Sequence, residues 1–131
     1  MKNIILQHFD GELRELDKLS MENISAYAKY IGAEYELVEG TPLGDNLTGP
    51  CQKAYCIDSH WDKYENVLML DIDVFIRKNL TEDVFKVPGH GVHGDTQVSL
   101  KRKLIAKGKI MEHNPYWAGS IYKFSRKERE L

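Results

Sequence analysis

Apolar residues in this chain come in short runs, separated by charged or glycine-bearing stretches. Asn3 to His8 is one such run and predicts a buried strand. Ile24, Tyr27, Ala28 and Ile31 recur at helical spacing. Ser20 is placed to cap that helix, and Gly32 to end it in a left-handed conformation. The charged stretch from Asp10 to Leu19 predicts a loop leading into the helix. Tyr35 to Val38 predicts a second strand. Glycines and prolines crowd the stretch from Glu39 to Pro50, which predicts a loop. Cys51 to about Tyr64 then predicts a second helix, with Ala54, Ile57 and Trp61 as its buried stripe.

Val67 to Leu70 has no polar residue, the mark of a central strand covered on both faces. Val74 to Ile76 predicts a short continuation, and Thr81 the cap of one helical turn through Phe85. Gly91 to His93 predicts a weak strand. Thr96 is placed to cap a basic helix over 97–107, ended by Gly108. Tyr116 to Phe124 predicts a final strand. Ser125-Arg126-Lys127-Glu128 is a capping-box pattern that signals a helix start. Alternating strands and helices with apolar central strands predict an α/β fold with a mostly parallel sheet. The expected organisation is a single domain over residues 1–131.

With 42% apolar and 29% charged residues, the composition is that of a soluble globular domain rather than a disordered chain. Lys and Arg number 18 against 20 Asp and Glu, so the basic excess of a nucleic-acid binder is missing. No apolar run approaches the ~20 residues of a transmembrane segment. The N-terminus has only Ile4, Ile5 and Leu6 before Gln7, too short for a signal peptide. The expected compartment is cytoplasmic, with Cys51 and Cys56 as reduced, buried thiols on different helix faces. His90 and His93 lie three apart on a predicted strand and would face opposite sides, so they predict no zinc site.

Asp71-Ile72-Asp73 follows the buried Val67–Leu70 run directly. Two carboxylates at such a strand end are costly unless something neutralises them. In an extended chain, residues two apart project to the same side. That arrangement suits a hard divalent cation bridging to phosphate oxygens. In open α/β sheets, ligands bind beyond the carboxyl ends of the strands. Haloacid-dehalogenase-type phosphatases also place Asp-x-Asp after a strand, with the first aspartate as nucleophile. Here that motif is not on the first strand, and only 58 residues follow it.

The chain resembles more closely the nucleotide-sugar half of GT-A-fold glycosyltransferases, in the pattern of the glycogenin and lipopolysaccharide-galactosyltransferase group. The landmarks are the opening Asn3–His8 strand, Lys53 in Gln52-Lys53-Ala54-Tyr55, the stretch from Tyr64 through Asp71-Ile72-Asp73 to Ile76, and the Tyr116–Phe124 strand. This resemblance implies a Rossmann-like α/β/α sandwich and glycosyl transfer from a nucleoside-diphosphate sugar, UDP being the favoured nucleotide, to an unknown acceptor. It implies that Asp71 and Asp73 hold Mn²⁺ or Mg²⁺, with Ile72 between them in the motif. Gln7, His8 and Phe9 would border the base and ribose; Phe9 has a core position as its alternative. Lys53 would face the nucleotide, or be a solvated helix lysine. Asp95 would lie near the sugar, or belong to the cap of the next helix. The basic stretch from Lys101 to Lys109 reads as an amphipathic helix, or as a lid over phosphate. Trp117 stands where the family has an asparagine, and the family continues beyond the equivalent of Leu131 into an acceptor half. A nucleotide-sugar-binding module without transfer activity, or a homo-oligomer that completes its site, are therefore alternatives to a complete enzyme. A nucleotidyltransferase would carry a basic glycine-rich loop after the first strand, where this chain has His8-Phe9-Asp10-Gly11-Glu12.

Overall fold

Strands β1 (Lys2–Phe9), β2 (Glu34–Glu39), β3 (Tyr64–Leu70), β4 (Gly91–Gly94) and β5 (Trp117–Ser125) form one sheet in the order β2-β1-β3-β5-β4. The structure, a computed structural model, describes residues 2–88, 91–94, 107 and 117–130. β1 pairs in parallel with β2 and β3, while β5 is antiparallel to β3 and β4, so four of the five strands share one direction. The sheet is mostly parallel, as the apolar pattern predicts. The basic helix expected over 97–107, its cap Thr96, His90 and Asp95 lie outside the described residues, apart from Lys107, which lies in an exposed turn.

β1 and β3 are central and bury both faces. In register, Ile4 pairs with Val67 and Leu6 with Met69 on one face; Ile5 pairs with Leu68 and Gln7 with Leu70 on the other. The first face packs against Cys56, Trp61 and Tyr64. The second packs against Ile24, Tyr27 and Ala28 of helix α1 (Glu15–Ile31). The two layers thus lie on opposite sides of the sheet, giving the expected sandwich. Among the described residues, no helix is long and apolar enough to cross a membrane.

α1 starts earlier than its apolar stripe predicts. Its buried positions are Asp17, Ser20, Ile24, Tyr27 and Ala28, a continuous helical face whose first two members are polar. The stretch expected as a loop up to Leu19 therefore includes the first turn of α1, and Ser20 is a buried interior residue rather than its cap. The helix is opened by Asp17, whose Oδ2 accepts the Arg14 backbone N–H at 2.9 Å and whose Oδ1 accepts the Arg14 guanidinium at 2.8 Å. Gly32 ends the helix at φ 75°, the left-handed conformation expected of it.

The second layer departs further from expectation. Instead of one helix, the chain forms α2 (Gly49–Gln52) and two 3₁₀ segments, Lys53–Ile57 and Ser59–Trp61. The tighter three-residue turn changes which side chains point inward. Ala54 and Ile57 are exposed, and Gln52, Cys56 and Trp61 are buried. Cys51 is exposed, a correction to the expectation of two buried thiols, while burial pushes the Cys56 thiol up to about 12. The final capping box forms as predicted: Ser125 opens α3 (Arg126–Arg129), with reciprocal bonds to Glu128.

The Arg14 guanidinium holds the Asp17 carboxyl below the usual carboxylate range, against the opposing effect of burial. A carboxyl lowered in the folded state contributes stability above its unfolded value of about 4 and loses it as pH falls through the folded value. Asp17→Asn is expected to unfold at lower urea than the parent at pH 7. The difference should shrink as pH falls below about 4; urea titrations at pH 7 and pH 3 check it.

Candidate functional site

The chain leaves β1 through α1 to β2 on one side, and then crosses to β3 on the other. The strand order therefore reverses between β1 and β3, where the carboxyl ends of open α/β sheets form a crevice. A concave site of about 250 Å³ lies there. His8, Phe9 and Asp10 line it from β1 and the residue after it, Gly49, Pro50 and Lys53 from the second layer, and Asp71, Ile72 and Asp73 from the end of β3. Six of the residues singled out in the sequence, His8, Phe9, Lys53, Asp71, Ile72 and Asp73, are brought together. Asp95 lies outside the described residues. Phe9 lines the site while only partly buried.

Asp71 and Asp73 are not on an extended chain. The Asp71 carbonyl accepts the Val74 N–H at 3.2 Å, closing a turn with Ile72 and Asp73 at its centre. The two carboxylates line one pocket because the chain bends there, not because a strand alternates. The expected strand over Val74–Ile76 does not form either. Its backbone groups are taken by side chains of α1: Ser20 Oγ donates to the Val74 carbonyl at 2.5 Å, Asn23 Nδ2 donates to the Ile76 carbonyl at 3.1 Å, and the Ile76 N–H donates to Asn23 Oδ1 at 2.6 Å. Tyr27 extends this clamp by donating to the Glu82 carbonyl at 2.6 Å and accepting the Val84 N–H at 3.1 Å. The helical turn expected from a Thr81 cap is instead a 3₁₀ turn over Val84–Lys86 capped by Asp83.

Gln7 lies beneath the site rather than in it. It is fully buried, and its Nε2 donates to Ser20 Oγ at 2.9 Å and to the Asp71 carbonyl at 3.0 Å. Its Oε1 accepts the Tyr35 hydroxyl at 2.8 Å. Burial pushes the Tyr35 phenol up to about 12, which keeps it a donor. His8 is buried, with Nε2 2.7 Å from the Gly40 carbonyl. Gln52 organises the neighbouring loop: Oε1 accepts the Leu43 N–H at 2.9 Å, and Nε2 donates to the Gly44 carbonyl at 2.8 Å. Sequence reasoning missed Asp10, Gly49 and Pro50 as lining residues and Gln52 as an anchor. The usable signal was a glutamine two residues after the proline at a segment entrance.

Lys53 forms an ion pair with Asp71 Oδ1. Both are partly withdrawn from water, the Lys53 side chain 15% exposed and that of Asp71 29%. Burial pushes the Lys53 ammonium below its ordinary range, opposed by the charge of Asp73. The Arg14 guanidinium is held protonated chiefly by Asp17 and more weakly by Asp73. An internal carboxylate, Asp17, thus already supplies the anion that the N-terminus of α1 favours. Among the described residues, no group of three or more His, Cys, Asp or Glu is arranged to hold a metal ion. Two carboxylates do fit an Mg²⁺-type ion that takes its remaining ligands from substrate phosphate and water.

Replacing Gln7 with leucine removes the donor to Asp71 and the acceptor of Tyr35. Gln7→Leu is expected to cost about 1–3 kcal/mol in urea unfolding, the price of buried polar groups left without partners. Amide exchange at Val74 and Ile76 should accelerate beyond that global change, because the turn loses its support.

No family model matches the chain, and no curated protein matches it. Among solved structures, the fold matches the crystal structure of a glycosyltransferase involved in the glycosylation of the major capsid of PBCV-1. The TM-score is 0.63 at 13% sequence identity, and the match covers 99% of this chain. This chain spans 63% of the length of that neighbour. At this identity the likeness is one of fold, a Rossmann-like α/β architecture.

Proposed function

We propose that this domain binds a nucleoside-diphosphate sugar at the Asp71–Asp73 turn, together with Mn²⁺ or Mg²⁺, and acts in glycosyl transfer. The observation that carries this reading is the pocket at the sheet's switch point, where both carboxylates, Lys53 and the end of β1 converge. The fold shared with a glycosyltransferase supports it. UDP is the favoured nucleotide, on the resemblance of the stretch around Asp71-Ile72-Asp73 to the glycogenin group.

In this reading Asp71 and Asp73 hold the ion from the side of the sheet. The ion, when bound, neutralises charge on the departing diphosphate. His8 and Phe9 border the nucleoside, and their place on a central strand fixes that wall. Positioning of the donor then supplies much of the rate advantage. The acceptor and the base that would activate it are not assigned.

Asp73 is exposed, so Asp73→Ala is expected to leave stability within about 0.5 kcal/mol. Calorimetric titration of UDP with Mn²⁺ should show binding that EDTA abolishes and that Asp73→Ala weakens at least roughly tenfold, the loss of about 1.4 kcal/mol. GDP should bind more weakly than UDP. Failure of both nucleotides under every metal condition would overturn the reading, and an aspartyl-phosphate on Asp71 would replace it with the phosphatase alternative.

A further inference from the structure

The Lys53–Asp71 pair has a consequence for how the site fills. A carboxylate at the end of a buried strand needs a counter-charge, and removing its partner leaves an uncompensated charge. Here the counter-charge is a side chain of the chain itself, anchored on the first 3₁₀ segment and aimed at the same Asp71 oxygen set that a cation would use. We propose that Lys53 is the resident counter-cation of this site: its ammonium holds Asp71 until a divalent ion arrives, and the two compete for that carboxylate. This rests on the reading of Asp71 and Asp73 as the ion's protein ligands.

The charges set the order of events. Asp10, Asp71 and Asp73 line the pocket against one ammonium, so a cation is drawn in, but the Asp71 oxygens it needs are held by Lys53. An ion that reaches Asp71 must break the Lys53–Asp71 ion pair, which lies in a partly buried place where such pairs are costly to break. A diphosphate arriving with the ion changes the balance. Its oxygens give the displaced ammonium a new acceptor in the same pocket, and they complete the ion's shell. Ion and nucleotide therefore bind cooperatively, and each raises the affinity of the other by the same factor. Lys53 is the group that lowers the empty site's affinity for a lone ion.

The test is Mn²⁺ binding followed by the electron paramagnetic resonance signal of the free ion, with and without UDP. Lys53→Met keeps the apolar stem and removes the charge. It is expected to bind Mn²⁺ alone roughly fivefold or more tightly than the parent, the upper range of one weakly screened ion pair. The factor by which UDP enhances Mn²⁺ binding should shrink in the same variant. In an Asp71→Asn background, Lys53→Met should no longer change Mn²⁺ affinity, which separates competition for Asp71 from a general loss of positive charge. Lys53→Gln provides a second neutral variant, and thermal melts confirm that each protein is folded. If Mn²⁺ with UDP binds the parent in an Asp73-dependent way but Lys53→Met and Lys53→Gln leave lone-ion affinity unchanged, the competition is overturned and the donor site stands. If no variant binds Mn²⁺ with or without UDP, both fall.

Discussion

The buried amide of Gln7 is the point on which the site's architecture depends. It sits on the central strand, fully out of water, and every polar atom of its side chain is committed. Those commitments reach three other parts of the chain: Ser20 on α1, Tyr35 on β2 and the carbonyl of Asp71 at the end of β3. A buried amide with an unmet partner costs more than a satisfied one gains, so the four groups constrain each other's positions. The first acidic residue of the pocket is thereby fixed through its backbone, leaving its carboxylate to face the ion pair with Lys53.

The second constraint is electrostatic. Acidic side chains gather around the carboxyl ends of β1 and β3, and three of them are matched differently. Asp17 is neutralised by Arg14 within the first turn of α1, which removes the helix N-terminus from competition for an outside anion. Asp71 is matched by Lys53. Asp73 is exposed and acts on both Lys53 and Arg14 through its field. The pocket is thus a place where charge is balanced only in part. That is why a cation carried by an anionic ligand, rather than a bare anion, fits its chemistry.

Much of the frame was legible in the sequence. The apolar run of β3 read as a central strand and that of β1 as a buried one, and Gly32 and the Ser125–Glu128 box marked helix ends through local chemistry alone. The Asp-x-Asp pair was legible because it interrupts a buried run. The early part of α1 was not, since its inward positions are Asp17 and Ser20, and a stripe read from apolar residues begins only at Ile24. The second layer was misread in part: Trp61 and Cys56 are buried as expected, but 3₁₀ geometry turns Ala54 and Ile57 outward and Gln52 inward, and apolar spacing carries no mark of that tighter turn. Gln7 was placed in the site for its position at a strand end. Its role beneath the site emerges only when Ser20, Tyr35 and Asp71, distant in sequence, are brought together.

The missing strand over Val74–Ile76 shows why α1 carries polar residues on its inward face. Sheet pairing there would extend the chain straight beyond Leu70 and carry Asp73 away from the end of β1. The turn at Asp71–Val74 keeps both carboxylates over the switch point, but it leaves the following backbone groups without a ladder. Ser20, Asn23 and Tyr27, spaced to share one side of α1, supply the partners that a neighbouring strand would have supplied. The same helix buries Ile24 and Ala28 against the sheet. One helical surface thus both packs the core and replaces a strand's hydrogen bonds. The apolar contacts fix where α1 lies, and α1 in turn fixes where the acidic turn points.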